Sequence, residues 1–457
     1  MIRLPPALRE FASVFSQAGK RCYVVGGALR DSLLGRPVSD YDAATDARPE
    51  EVVALFRKVI PTGIKHGTVT VFWKGMTIET TTFRRDSKYS DGRRPDSVEF
   101  GASLEEDLER RDFTINAMAV DPLSGELVDL HGGQEDLKAR LIRAVGDPAQ
   151  RFDEDGLRPV RAIRFAAQLD FEIEDATLAA IPAALARTRQ VSAERIREEL
   201  ERVLLAPRPS RAFLLMEKTG MLELVLPELA RCRGVDQKGG HRFDVLDHSL
   251  VALDAAPPEL EIRLAALLHD IGKVDTRVVG EDGVASFHRH EEFSARMAEA
   301  IMRRLKFPNS TMEAVCHLIR QHMFFYEDNW TDAAVRRFLT RVGADKVGPL
   351  FSLRLADAEG KDGVPVDPRC LDPFRRRIEA ILNAEEALSI KDLALGGEDL
   401  AALGVPRGPA MGRILAELLE AVLDDPSLNT KERLSEIAGR IREKHGISAG
   451  PTAGIEG

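Results

Sequence analysis

A change of apolar period near residue 137 limits the possible folds more than any other feature of this chain. Upstream of it, "RCYVV" (21–25), "VSDYDAA" (38–44), "GTVTVFW" (67–73) and "MTIETTTF" (76–83) alternate or are rich in β-branched residues. Such patterns predict strands. "GGALRDSLLG" leaves the first of them through two glycines into a brief helix, and "RPEEVVALFRKV" predicts an amphipathic helix. From Leu137 onward strand patterns nearly vanish. "GLRPVRAIRFAAQL", "AERIREELERVLL" and "EIRLAALLHDIG" carry apolar residues at helical spacing, and most such stretches end in Gly or Pro. The predicted fold class is α+β, a small N-terminal sheet domain followed by a long helical body. At 457 residues the chain is too long for one core, so two to four domains are expected. "EGKDGVPVDPRC" (359–370) reads as a linker and "ISAGPTAGIEG" (447–457) as a disordered tail.

Composition narrows the class. With 44% hydrophobic and 30% charged residues, the chain reads as soluble and globular. No apolar run approaches bilayer length and the first residues lack a signal core, so a cytoplasmic protein with no membrane partner is expected. Cys22, Cys232, Cys316 and Cys370 are scattered, which argues against a disulfide framework or a cysteine zinc site and for single buried thiols. A net charge of −10 argues against a protein coated in nucleic acid. It leaves room for a local basic groove around one RNA end.

Asp40 and Asp42 stand at i and i+2, which on a strand puts both on one face. Two such carboxylates repel unless a cation lies between them, and a hard divalent ion such as Mg²⁺ suits an all-oxygen pair. Upstream, Gly26-Gly27 permits close approach of a ligand to the backbone, a helix start favours phosphate, and Arg30 adds a guanidinium fork. Taken singly, each part also fits a glycine turn and a solvated loop. Arg158, Arg161 and Arg164 recur every third residue, a drifting basic stripe on a helix whose other side holds Ile163, Phe165, Ala166 and Leu169. Pro159 requires that helix to start or bend close to Asp155.

The order strand, glycine pair, Arg-Asp, short helix and DxD strand resembles the start of polymerase-β-type nucleotidyltransferases. With "TTFRRDSKYSDGRRPD", "RRDFTINAMA", "EDGLRPVRAIRFAA" and "ERIREEL" following in order, the chain resembles the class II tRNA nucleotidyltransferases. That family comprises the CCA-adding enzymes and bacterial poly(A) polymerases. The resemblance is close over about residues 20–200 and looser to about 360. It implies a nucleotidyltransferase head (1–136), a helical neck and body that selects nucleotides and binds RNA (137–230), an HD domain (231–360) and a helical C-terminal region (361–457).

The resemblance also implies roles. Asp40 and Asp42 would be catalytic and hold Mg²⁺. Glu79 is the candidate third acid, with a solvent-facing strand residue as the alternative. Gly27 and Arg30 would cradle the triphosphate, and Arg111 and Asp112 would contact the nucleotide and lie near its ribose. Asp112 fits a helix cap equally well. Asp155 and Arg158 would read the base edge, while Arg161 and Arg164 would hold the nucleotide and its triphosphate. The polar stretch "FRRDSKYSDGRRPD" matches a flexible loop that helps family members pass from CTP to ATP. "ERIREEL" reads as a structural neck helix with its own charge pairs, among them Arg195–Glu199.

A second constellation follows. "LAALLHDIGKVDT" ends an apolar helix in His269-Asp270, and His248 in "LDHSL" and Asp357 in "RLADAEGK" supply further ligand types for one divalent ion. The stretch resembles an HD-superfamily phosphohydrolase. His248, His269, Asp270 and Asp357 are the implied ligands of a metal whose identity the sequence leaves open. His290 and His322 fit a second metal position, a phosphate contact or plain partly buried histidines. The expected function is CTP/ATP:tRNA nucleotidyltransferase acting on the tRNA 3′ end, with phosphohydrolase capacity behind it. A poly(A) polymerase, an A-adding specialist, or an HD phosphohydrolase with a binding head are the alternatives. Oligomeric state is not legible.

Overall fold

The computed structural model describes residues 4–38, 40–64, 67–86, 98–237, 242–281, 284–384 and 387–447. The tail from 448 and most of the polar stretch 84–96 therefore lie outside the described residues.

The head is built on a seven-stranded sheet of order β3-β4-β5-β2-β1-β8-β9. In chain order its strands are β1 (Cys22–Val25), β2 (Tyr41–Thr45), β3 (Val59–Gly63), β4 (Thr68–Trp73), β5 (Met76–Thr82), β8 (Met118–Val120) and β9 (Leu127–Asp129), while β6 (Arg84–Asp86) and β7 (Val98–Phe100) form a separate ribbon. β2 runs parallel to β5 and antiparallel to β1, so Asp42 is flanked in register by Glu79 on one side and Val25 on the other. One layer beneath is aromatic. Phe11 and Phe15 of the helix Pro6–Gln17 pack with Phe56, and Trp73 completes the cluster. These rings bury a large apolar area and anchor the sheet from one side.

The body is helical, with two-residue parallel strands at Leu141–Ile142 and Glu172–Ile173 and a hairpin at Arg277–Val279 and Ala285–Phe287. The helix Pro148–Glu154 stops at Asp155, and a new helix runs Arg158–Leu169 with Pro159 in its first turn, where the missing N–H costs nothing. One apolar core continues from Leu8 through Ile381, and a second spans Ala387–Ile441. Phe324, Phe338 and Phe351 gather around Phe374, fixing the helix Val347–Gly360 that carries Asp357.

Two sequence expectations need correction. Cys370 is exposed, unlike the other three thiols, because it falls in the short 3₁₀ turn Pro368–Leu371. Asp40 lies just before β2, so its alignment with Asp42 is not enforced by strand pairing.

Candidate active site and candidate metal centre

The head cavity opens where β1 ends. Gly26 has φ +72° and a Cβ there would stand 3.0 Å from Asp42 Oδ2 and 3.3 Å from Arg111 Nη1, so only glycine allows the chain to turn this close to both charges. Asp42, Glu79, Arg111, Asp112, Asp155, Arg158 and Arg161 line one cavity of about 360 Å³, together with Arg84 and Arg110. Gly27, Arg30, Asp40 and Arg164 lie outside its lining. Burial is the largest influence on Asp42; Arg111 opposes it, Glu79 and Asp40 reinforce it, and the carboxyl is pushed up to about 6. Such a carboxylate gains from a bound cation, and the all-oxygen donors Asp42, Glu79 and Asp40 suit a hard one.

Behind the cavity wall a chain of charge-assisted hydrogen bonds crosses four elements. Arg30 is buried on the glycine helix Gly26–Leu33, forked onto Asp31 (2.9 and 2.8 Å), and donates to Asn116 Oδ1 at 2.8 Å. Asn116 donates to Asp112 Oδ1 (3.1 Å), and Arg161 donates twice to Asp112 Oδ2 (2.8 and 2.6 Å). Burial alone would raise the Asp112 carboxyl, but Arg161 and the hydrogen bonds from Asn116 and Arg161 outweigh it and hold it well below the usual range. Arg161 also reaches Glu199, which accepts from Arg164 Nε at 2.7 Å. Arg164 lies 3.6 Å over the Phe165 ring, and burial depresses its guanidinium to about 10. Arg158 donates to the carbonyls of Arg151 and Arg110 (both 2.8 Å), closing the cavity floor.

The neck helix Ala193–Leu204 therefore braces the cavity from outside. Arg195 grips both oxygens of Asp155 (3.2 and 2.8 Å), and Glu199 serves Arg161 and Arg164. The expected Arg195–Glu199 pairing is replaced by these longer-range contacts. Sequence reasoning also passed over Asp107, buried between Arg110 and Arg111, along with Asn116 and Gly26 as the closer glycine. Glu199 had a usable signal: it shares a helix face with buried Ile196 and Val203, where a carboxylate needs a partner.

The second site is denser. His248 (helix Val245–Ala255), His269 and Asp270 (after helix Leu260–Leu268) and Asp357 meet in one cluster. His248 Nε2 lies 3.0 Å from His269 Nε2, 3.1 Å from Asp270 Oδ2 and 3.2 Å from Asp357 Oδ1; His269 Nε2 is 3.3 Å from both carboxylate oxygens. Separations of 3.0–3.3 Å suit neighbouring donors of one first-row divalent ion, and all four ligand atoms lie within 4.8 Å of one another. Asp270 faces a second group through its other oxygen: His290 Nε2 at 3.2 Å and His322 Nε2 at 3.9 Å. Asp270 Oδ1 and His290 Nε2 are buried with no hydrogen-bond partner, which favours a cation at this position. His269, His290 and His322 each place Nδ1 2.6–2.9 Å from a backbone carbonyl, which orients Nε2 inward. Gly360 lets its helix touch His248, since a Cβ there would meet the His248 carbonyl at 2.9 Å. Without a cation, burial lowers His269 but Asp270 and Asp357 overcome it and raise it to about 10, whereas burial drives His322 down to about 4.

Comparison with known proteins agrees with this geometry. The Poly A polymerase head domain family matches residues 22–143, the "Probable RNA and SrmB- binding site of polymerase A" family residues 170–232, and the HD domain family residues 241–359. The CCA-adding enzyme of Anoxybacillus flavithermus is 35% identical over 424 residues, 92% of this chain and 93% of that one. The chain belongs to the CCA-adding enzyme family. Another member, from Limosilactobacillus fermentum, is 35% identical over 95% of this chain and 96% of its own. Among solved structures, the Bacillus stearothermophilus CCA-adding enzyme in complex with CTP aligns with TM-score 0.75 and 32% identity, covering 97% of this chain and all of that one. The Thermotoga maritima CCA-adding enzyme complexed with tRNA shares the fold at TM-score 0.58 and 21% identity, covering 96% and 97% of the two chains. In this chain the sheet domain comes first and a mostly helical body follows. No described helix is long and apolar enough to cross a membrane.

Proposed function

We infer that the chain is a CTP/ATP:tRNA nucleotidyltransferase that adds or repairs the 3′-terminal CCA of tRNA without a nucleic-acid template, in the cytoplasm. The observation that carries this is the pairing of Asp42 with Glu79 across β2 and β5, facing Arg111, Asp155, Arg158 and Arg161 in one cavity. Asp40, Asp42 and Glu79 would hold divalent cations, for which Mg²⁺ fits the oxygen donors. Such cations supply charge stabilisation at the attacking hydroxyl and the leaving pyrophosphate. The RNA 3′-oxygen forms a bond to the α-phosphorus as the bond to pyrophosphate breaks, and the hydroxyl proton passes to solvent. Arg111 and Arg161 offset phosphate charge. Asp155 presents acceptors and Arg158 donors to a base edge, and Arg195 keeps Asp155 oriented. Gly27 and Arg30 would support the triphosphate from the glycine helix, and Arg164 would act through Glu199. Asp112, held ionised, fixes Arg161 and lies on the ribose side.

The test is a tRNA ending at its discriminator base, supplied with labelled CTP and ATP. Stepwise C, C and A addition supports the reading, long A tails would indicate a poly(A) polymerase, and addition only to ends already carrying CC would indicate an A-adding specialist. No incorporation at all would overturn it.

A second activity is favoured by the histidine cluster. His248, His269, Asp270 and Asp357 would hold one divalent cation, with His290 and His322 sharing Asp270 toward another, for hydrolysis of phosphate esters. Water adds to phosphorus, the ester P–O bond breaks, and the alcohol leaves with a proton. Release of phosphate from p-nitrophenyl phosphate, lost in Asp270→Asn, tests it.

A further inference from the structure

The cavity over the histidine cluster, about 560 Å³, is lined by Lys273, Arg354 and Lys361 as well as by Asp270 and Asp357. Lys273 is committed to the floor, bonded to Asp270 Oδ2 (2.5 Å) and Gln237 Oε1 (2.6 Å). Arg354 and Lys361 are different. They flank Asp357 along the helix Val347–Gly360 and its end, at i−3 and i+4, and both line the cavity. Arg354 spends one nitrogen on Asp357 Oδ2 (2.8 Å) and keeps its other donors. Lys361 is exposed and, among the described residues, has no ion-pair partner. Seven residues of helix separate their backbone positions by about 10 Å along the axis, a spacing at which each can take a phosphate group of its own. Between them the wall is Ala358, which leaves room, and the cavity is completed by Phe287 and Met323, a surface suited to a flat apolar group.

We propose that this cavity takes a nucleoside carrying two phosphates, the reacting one beside Arg354 and the cluster, the second at Lys361, with the nucleoside against Phe287 and Met323. The proposal rests on the phosphohydrolase reading for the direction of the chemistry, and on the cavity alone for binding. A free nucleoside 3′,5′-bisphosphate and the 3′-phosphorylated end of an RNA share this chemistry.

Calorimetric titration of the intact, cation-free chain, with excess CTP to fill the head cavity, reads binding apart from turnover. Adenosine 3′,5′-bisphosphate should bind about tenfold more tightly than adenosine 3′-monophosphate. Lys361→Gln should abolish that difference and Lys361→Arg should restore it. Equal affinity in the wild type, or an unchanged difference in Lys361→Gln, overturns the proposal. Hydrolysis of both nucleotides by the cation-loaded chain at equal KM would also overturn it while leaving the phosphohydrolase reading intact. A persistent binding difference with no hydrolysis would sink the phosphohydrolase reading instead. A 3′-phosphorylated dinucleotide that binds as tightly as the bisphosphate identifies an RNA end as the source, and its exclusion identifies the free nucleotide.

Discussion

The two cavities handle like charge in opposite ways. In the head, Glu79 and Asp40 are exposed and of these three acids only Asp42 is drawn inward, in a cavity also lined by arginines. In the second site His248, His269 and Asp270 are at most 1% exposed and already stand at ligand distances from one another. An open carboxylate pair is completed by what the substrate brings. A buried cluster is completed by the fold, which must hold its charges together whether or not a cation is present. The head thus leaves its carboxylates open to whatever binds there, whereas the second site holds its donors together in advance.

Four experiments would break or sharpen that contrast. The largest effect is expected from Asp42→Asn. Losing one carboxylate of a two-cation site removes several kcal/mol of transition-state stabilisation, so CTP incorporation should fall by about a thousandfold or more. The same variant should melt no lower than the wild type without cation, because it relieves a carboxylate that burial disfavours. Asp270→Asn should do the reverse, sparing incorporation and abolishing the rise in Tm on adding a divalent cation. If both variants lost thermal stabilisation by cation equally, the two sites would not differ as described.

Glu199→Gln comes next. It leaves buried Arg164 with a weaker partner and removes the second contact of Arg161, and breaking a buried ion pair costs about 3–5 kcal/mol. A lowered Tm and a raised KM for CTP are expected, whereas Arg195→Gln, more exposed, should change the CTP-to-ATP preference with a smaller loss of stability. Unaltered nucleotide kinetics in both variants would confine the neck helix to scaffolding.

The pH dependence separates the sites by sign. Asp42, raised to about 6, contributes stability fully present below its unfolded value near 3.8 and lost as pH rises through 6. Only its ionised form binds cation, so incorporation should decline as pH falls through 6. His269, raised to about 10, contributes stability that is present below 6.5 and lost as pH rises toward 10 in the cation-free chain. Thermal melts of chelated and cation-loaded protein from pH 6.5 to 9.5 should therefore diverge with rising pH. The smallest effect concerns protons: burial lowers His248 and His269 but Asp270 and Asp357 raise both, and cation binding must displace their protons, so titrations in buffers of different ionisation enthalpy at pH 7 should show one proton or more released. Zero release would mean that His269 is already neutral.

Much of the fold was legible because period and punctuation are local. β1, the glycine helix and the arginine helix were readable from a dozen residues each, and Pro159 marked the break at Asp155. The DxD pair could be named for the same reason. The connections behind the cavity could not. Arg30 meets Asn116 from 86 residues away, Arg161 meets Asp112 from 49, and Asp155 meets Arg195 from 40. Nothing in a local pattern says which acid a given arginine will find. Glu199 illustrates the error this causes, because i,i+4 spacing suggested Arg195 as its partner while burial against the arginine helix delivered Arg161 and Arg164.

By itself, the sequence determined where strands end and helices begin, which residue types gather for metal and phosphate chemistry, and the family to which they point. These follow from side-chain period, backbone conformational limits and ligand chemistry, all carried by neighbours in the chain. Only the tertiary structure decided that Glu79 faces Asp42 in register, that Gly26 rather than Gly27 abuts the carboxylate, and that Arg354 and Lys361 share a cavity with the histidines. Those are outcomes of strand order and helix packing, in which the distance between two charges is set by the elements that carry them rather than by the residues between.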